Sequence, residues 1–152
     1  GATSFDGKIT YGGRTHGLKD LPAIPNNSTQ EIRYVNGNCV LIDKTIFNRV
    51  GYVNSKFSHS LGDLDYGLRA RKMGIKSYLS SSIVGECKKN KNVWYNKKSI
   101  IDRYNLLNSP KGVPLKEYFY FNYSHFGILK ALKFILATIF ALIFPKLYKL
   151  SK

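Results

Sequence analysis

The stretch 61–74, Leu-Gly-Asp-Leu-Asp-Tyr-Gly-Leu-Arg-Ala-Arg-Lys-Met-Gly, constrains this chain more than any other. It reads as one short helix with both ends marked. Asp63 has the side chain of an N-cap, and Gly74 suits the position just past a helix end. Between them Leu64 and Leu68 stand four apart on one face. Asp65 and Arg69 are also four apart, so they can pair across one turn. Two chemistries fit these residues. One is an acidic cap on an ordinary amphipathic helix. The other is a carboxylate held at a helix mouth, as a general base or beside a metal.

The flanking chain reads as mixed α/β. In 1–17, Asp6-Gly7 sits between β-prone runs and predicts a hairpin with a tight turn. The segment 18–30, with Pro22, Pro25 and Asn26-Asn27, reads as a loop. The region 31–42 reads as a strand whose apolar end, Val40-Leu41-Ile42, is of the buried-sheet kind. Asn36-Gly37-Asn38 interrupts it. A glycine there fits a bulge or a close backbone approach by a ligand, and asparagine amides can bond sugar hydroxyls. Asp43 caps a short helix, 44–50, that ends at Gly51. The segment 75–84 reads as a strand, and 99–108 as an amphipathic helix through Ile100, Ile101, Tyr104 and Leu107. His16 and His59 fall in loops and read as solvated side chains.

With 152 residues the chain is one domain or part of one, and its formal net charge is +15. The excess is uneven. Residues 1–85 hold 11 Lys and Arg against 6 acids, and residues 86–152 hold 13 against 3. Such a balance favours an anionic partner: phosphate, nucleic acid or an acidic membrane surface. Cys39 and Cys87 form no CxxC and read as reduced thiols of a cytosolic protein. The start, 1–11, lacks a basic segment followed by an apolar run, so no signal peptide is expected.

Gly62-Asp63-Leu64-Asp65-Tyr66-Gly67-Leu68-Arg69 through Gly74 resembles the acidic motif of family 2 glycosyltransferases, the inverting GT-A enzymes. The resemblance extends over about 6–114. The segment 35–42 resembles the strand before the motif, and Phe47-Asn48-Arg49-Val50-Gly51 the short helix ending in Gly. Ser109-Pro110-Lys111-Gly112 looks like the segment that follows the catalytic domain in bacterial members. The resemblance implies an α/β fold: the C-terminal, acceptor-side half of a GT-A (Rossmann-like) mixed sheet over 1–108, then a helical tail over 109–152. Asp63 falls on the catalytic base, and Asp65 and Arg69 on supporting positions. Asn36, Gly37 and Asn38 would shape the acceptor pocket. Where many members place a metal-completing His, this chain has Glu86 and Cys87. A carboxylate suits Mg²⁺ or Mn²⁺, and a thiolate softer metals. The basic loop 88–98 corresponds to a mobile loop near donor phosphates or acceptor.

The implied activity is inverting transfer of a sugar from a nucleotide-sugar donor to a hydroxyl of a glycan or lipid-linked acceptor, in cell-surface polysaccharide synthesis. A divalent metal, Mg²⁺ or Mn²⁺, is the implied cofactor. The family's donor-binding half, with its own Asp-x-Asp, is expected before Gly1, so the chain is read as a fragment with little activity alone. The competing readings are a basic, aromatic nucleic-acid module and a membrane-surface module without catalysis. The apolar tail disfavours nucleic acid.

The tail begins with the aromatic segment 115–126, and 127–144 is mostly apolar apart from Lys130 and Lys133. Its uninterrupted apolar run, 134–144, is short against the ~20 residues of a membrane span. Lengthening it across two lysines costs about 2.5–3.5 kcal/mol for each one held near the bilayer centre. Pro145, Lys146, Lys149 and Lys152 follow. The expectation is membrane association through 126–152, peripheral or shallowly anchored, at the cytoplasmic face of a bacterial inner membrane.

Overall fold

A computed structural model describes residues 1–15, 21–36, 38–59, 61–88 and 94–150. His16, Gly37 and residues 89–93 of the basic loop lie outside the described residues. The fold is mixed α/β with six α-helices among the described residues. No described helix is long and apolar enough to cross a membrane. The chain divides into two compact units, Gly1–Ser55 with Gly62–Asn90, and Lys56–Leu61 with Lys91–Lys152.

The first unit is built on two small sheets. Strands β1 (Ala2–Phe5) and β2 (Lys8–Arg14) form the expected hairpin. Asp6 and Gly7 both adopt positive φ, 50° and 70°, as a two-residue turn that matches strand twist requires. β4 (Tyr34–Asn36) pairs antiparallel with β2, and β6 (Ile83–Glu86) pairs parallel with β1. The sheet order is β4-β2-β1-β6. β3 (Gln30–Ile32) and β5 (Ser77–Leu79) form a separate antiparallel pair. Ala2, Ala23, Ile32 and Leu79 make one buried cluster.

Helices α1 (Lys44–Val50) and α2 (Gly62–Lys72) complete this unit. Asp43 caps α1 as expected, accepting from the Thr45 N–H, and Gly51 ends it at φ 82°. The Thr45 hydrogen bonds hold the Asp43 carboxyl below its usual range. Val50, Tyr66 and Ala70 form the second cluster, with Ile42, Ile46 and Ile75 packed against it.

Two strand expectations need correction. Val40-Leu41-Ile42 is no buried strand: β4 stops at Asn36, and Leu41 is 98% exposed. Among the described residues the segment has no partner strand, and Ile42 turns inward, onto the α1/α2 cluster. The segment 75–84 is likewise two strands in two different sheets. Ser80 Oγ donates to the Ser82 carbonyl and accepts from Ala2 N–H, so the serines make the turn between β5 and β6.

The second unit is helical: a 3-10 turn at Trp94–Asn96, then α3 (Ile100–Leu107), α4 (Leu115–Phe126), α5 (Ile128–Ile143) and α6 (Pro145–Leu150). Ser99 caps α3 through the Ile101 N–H. Gly112 is required by a close approach, since a Cβ there would stand 2.3 Å from the carbonyl oxygens of Leu106 and Leu107. α4 and α5 fold back about Gly127 (φ 88°), stacking Tyr118 on Phe134. The core holds Trp94, Leu107 and Ala141. Buried Arg103 donates to the carbonyls of Leu142, Lys97 and Lys98, closing the C-terminal end of α5. Phe57 packs on Tyr120 and Phe121, and Ser58 donates twice to Glu117.

Candidate functional site

Helix α2 carries the acidic motif, and its two carboxylates have different surroundings. Asp65 is 2% exposed. Its Oδ2 accepts from Arg69 Nε at 2.8 Å, so the expected i, i+4 pair forms. The guanidinium is shared further. Nη1 donates to the Val50 carbonyl at 2.7 Å and Nη2 to the Tyr52 carbonyl at 2.8 Å. Val50 closes α1, whose last carbonyls lack intrahelical donors. The Asp65–Arg69 pair therefore fastens α2 to the end of α1.

Asp63 is half-buried in the first turn of α2. It was expected to cap the helix, but α2 starts one residue earlier, at Gly62, after Leu61 at φ 78°. The Asp63 Oδ1 accepts from the adjacent Leu64 N–H at 2.8 Å.

A cavity of about 610 Å³ opens within the same unit. It is lined by Gly12 and Val35 from the sheet, by 40–44 and Ile46 around the start of α1, by Tyr66, Gly67 and Ala70 of α2, and by 75–78. Asp63 is not among its lining residues. However, positions 63, 66, 67 and 70 share one stripe of the helix, so Asp63 stands one turn beyond the lining along that stripe. Gly67 allows α2 to lie against β4: a Cβ there would be 3.0 Å from Val35 N and 3.1 Å from Tyr34 Cβ. The Tyr66 hydroxyl is buried and has no hydrogen-bond partner among the described residues. Arg69 lies over the Tyr66 ring, 5.1 Å from its centroid.

The other predicted residues are distributed around β4 and β6. Asn36 ends β4, half-buried and in register with Gly12. Asn38 is exposed, and its amide meets the Cys87 thiol. Both cysteines are free. Glu86 is exposed at the end of β6. Among the described residues no three His, Cys, Asp or Glu side chains gather where they could hold a metal ion. These residues do not by themselves fit the divalent cation that the resemblance implies. His59 is exposed.

Gly67 and Tyr66 are the residues that sequence reasoning passed over. The motif contained a signal for Gly67, because a mid-helix glycine costs about 1 kcal/mol relative to alanine and needs a packing reason.

No family model matches the chain, and no solved structure matches it. A region of 69 residues, 44% of the chain, is 26% identical to a Haloferax volcanii protein named low-salt glycan biosynthesis hexosyltransferase Agl10. The chain spans about a fifth of the length of that relative, the aligned region being 20% of it. The similarity is weak, and it hints at a glycosyltransferase.

Proposed function

We propose that this chain is the acceptor-side part of a family 2-like, inverting glycosyltransferase of GT-A fold. The observation that carries the reading is the division between the two carboxylates of α2. Asp65 is spent on the Arg69 clamp, while Asp63 is half-buried at the helix mouth, on the stripe that continues into the cavity. The partial similarity to a hexosyltransferase supports the reaction class.

In this reading Asp63 accepts the proton of an acceptor hydroxyl. The freed oxygen attacks the anomeric carbon of the donor sugar, and the bond to the nucleoside diphosphate breaks on the opposite face, inverting that carbon. General-base help of this kind is worth about 10²–10⁴-fold. Asn36 and Asn38, with Gly37, shape the acceptor side. Asp65 and Arg69 keep α2 seated so that Asp63 keeps its position. A divalent cation, Mg²⁺ or Mn²⁺, enters the proposal only as a companion of a nucleotide-sugar donor. No step is routed through it, and a calorimetric Mn²⁺ titration with and without a nucleoside diphosphate tests it.

The experiment is Asp63→Asn introduced into the gene in its own cell, with surface glycans profiled by mass spectrometry. The expected result is loss of one hexose-dependent glycan at unchanged protein level. An unaltered glycan profile overturns the assignment.

A further inference from the structure

Helix α5 is apolar on two opposite faces. One face, with Ala131, Thr138 and Ala141 buried, packs into the helical unit. The other exposes Leu129, Leu132, Leu136, Phe140 and Ile143, and Leu147 of α6 shares one open hollow of about 820 Å³ with the first four. At 100° per residue these α5 positions fall within one narrow stripe, roughly opposite the buried one. Leu129 and Leu136 are 81% and 68% exposed. A continuous apolar stripe of this length marks a surface that something covers.

The charges beside the stripe identify the cover. Lys133 borders it on one side and Lys146 follows at its end, both exposed; Lys130, also exposed, lies farther round the helix with its ammonium 4.3 Å from the Phe126 ring centroid. From residue 118 to the end of the sequence there is no Asp or Glu. A second copy seated on this face would therefore set lysine against lysine with no carboxylate on either side to pair. An anionic bilayer meets both demands: acyl chains take the leucines and phenylalanine, and phosphates take the ammonium groups at the ends of flexible stems. The helix has 16 residues, about 24 Å at 1.5 Å per residue, which is too short to span a hydrocarbon core of about 30 Å.

We propose that the outer face of α5, with the start of α6, lies flat in the interface of an anionic phospholipid membrane. The inference is independent of glycosyl transfer and stands whether or not Asp63 is catalytic.

The test is flotation of the full chain with vesicles of phosphatidylcholine alone and of equal phosphatidylcholine and phosphatidylglycerol. Each lysine near an acidic surface contributes roughly fivefold in partition, so with Lys133 and Lys146 beside the stripe the mixed vesicles should bind roughly 25-fold better at low salt. High salt should remove most of that preference. Leu136→Glu with Phe140→Glu should abolish binding to both vesicles, with circular dichroism unchanged. Should that variant unfold, the double change of Lys133 and Lys146 to Gln carries the test, because both side chains are exposed. It should bring mixed-vesicle binding down to the level of phosphatidylcholine alone. Three results overturn the proposal: no partition onto mixed vesicles, equal partition onto both, or self-association in sedimentation that Leu136→Glu abolishes while vesicles bind nothing.

Discussion

Each unit of this molecule holds a helix end with an arginine that reaches main-chain carbonyls, but the two arginines sit in opposite electrostatic settings. In the α/β unit, Arg69 binds the carbonyls of Val50 and Tyr52 and also the buried carboxylate of Asp65. In the helical unit, the partners of Arg103 among the described residues are the carbonyls of Leu142, Lys97 and Lys98. The first arginine neutralises a charge that the fold has buried. The second brings a positive charge inside that, among the described residues, peptide carbonyls face. The contrast follows composition: the helical unit carries two acids, Asp102 and Glu117, against twelve lysines and arginines. In a region that poor in carboxylates, the buried arginine turns to main-chain carbonyls.

The largest predicted effect tests that contrast. Arg69→Met leaves Asp65 buried without its charge partner and should cost about 3–5 kcal/mol in urea denaturation. Arg103→Met leaves carbonyls unsatisfied but strands no charge, and should cost about 1–3 kcal/mol. Equal losses would break the comparison. Next in size is Gly67→Ala, whose methyl would meet the backbone of β4 and should cost about 1–3 kcal/mol.

Smaller still, and opposite in sign, is Tyr66→Phe. Removing a buried hydroxyl without a partner should raise stability by about 1 kcal/mol. The smallest effect concerns Asp43. Its folded pKa is depressed by Thr45, so its contribution is present above the unfolded value of 3.8 and is lost as pH falls through the lower folded value. Asp43→Ala should therefore flatten the acid limb of a stability–pH profile slightly and leave the neutral region little changed in shape.

Local rules made part of this fold legible. The Asp6-Gly7 turn, the Asp43 cap, the Gly51 and Gly74 stops, the Ser99–Asn108 helix and the Asp65–Arg69 pair all depend on neighbours within a few residues. Pairing between distant segments was not legible. Val40-Leu41-Ile42 has strand composition, yet β4 has already ended and no described strand pairs with it. The serines at 80–82 look like strand filler, yet a hydroxyl bonded to Ser82 and Ala2 turns the chain from one sheet to the other. In the candidate site, the spacing of 63, 65 and 69 was visible, but the carbonyls that Arg69 grips come from Val50 and Tyr52, 19 and 17 residues away. Nothing local in the sequence marks them.

The claim at the centre of this account is that two carboxylates two residues apart divide their labour, Asp65 holding the helix and Asp63 serving chemistry. The direct measurement sets Asp63→Asn beside Asp65→Asn, with urea stability and glycan output read for both. The account predicts that Asp63→Asn stays within about 1 kcal/mol of the parent and loses the glycan. It predicts that Asp65→Asn loses about 2 kcal/mol or more, with glycan falling only as far as folded protein falls. An Asp63→Asn variant that keeps its glycan output, or that unfolds as readily as Asp65→Asn, would contradict it.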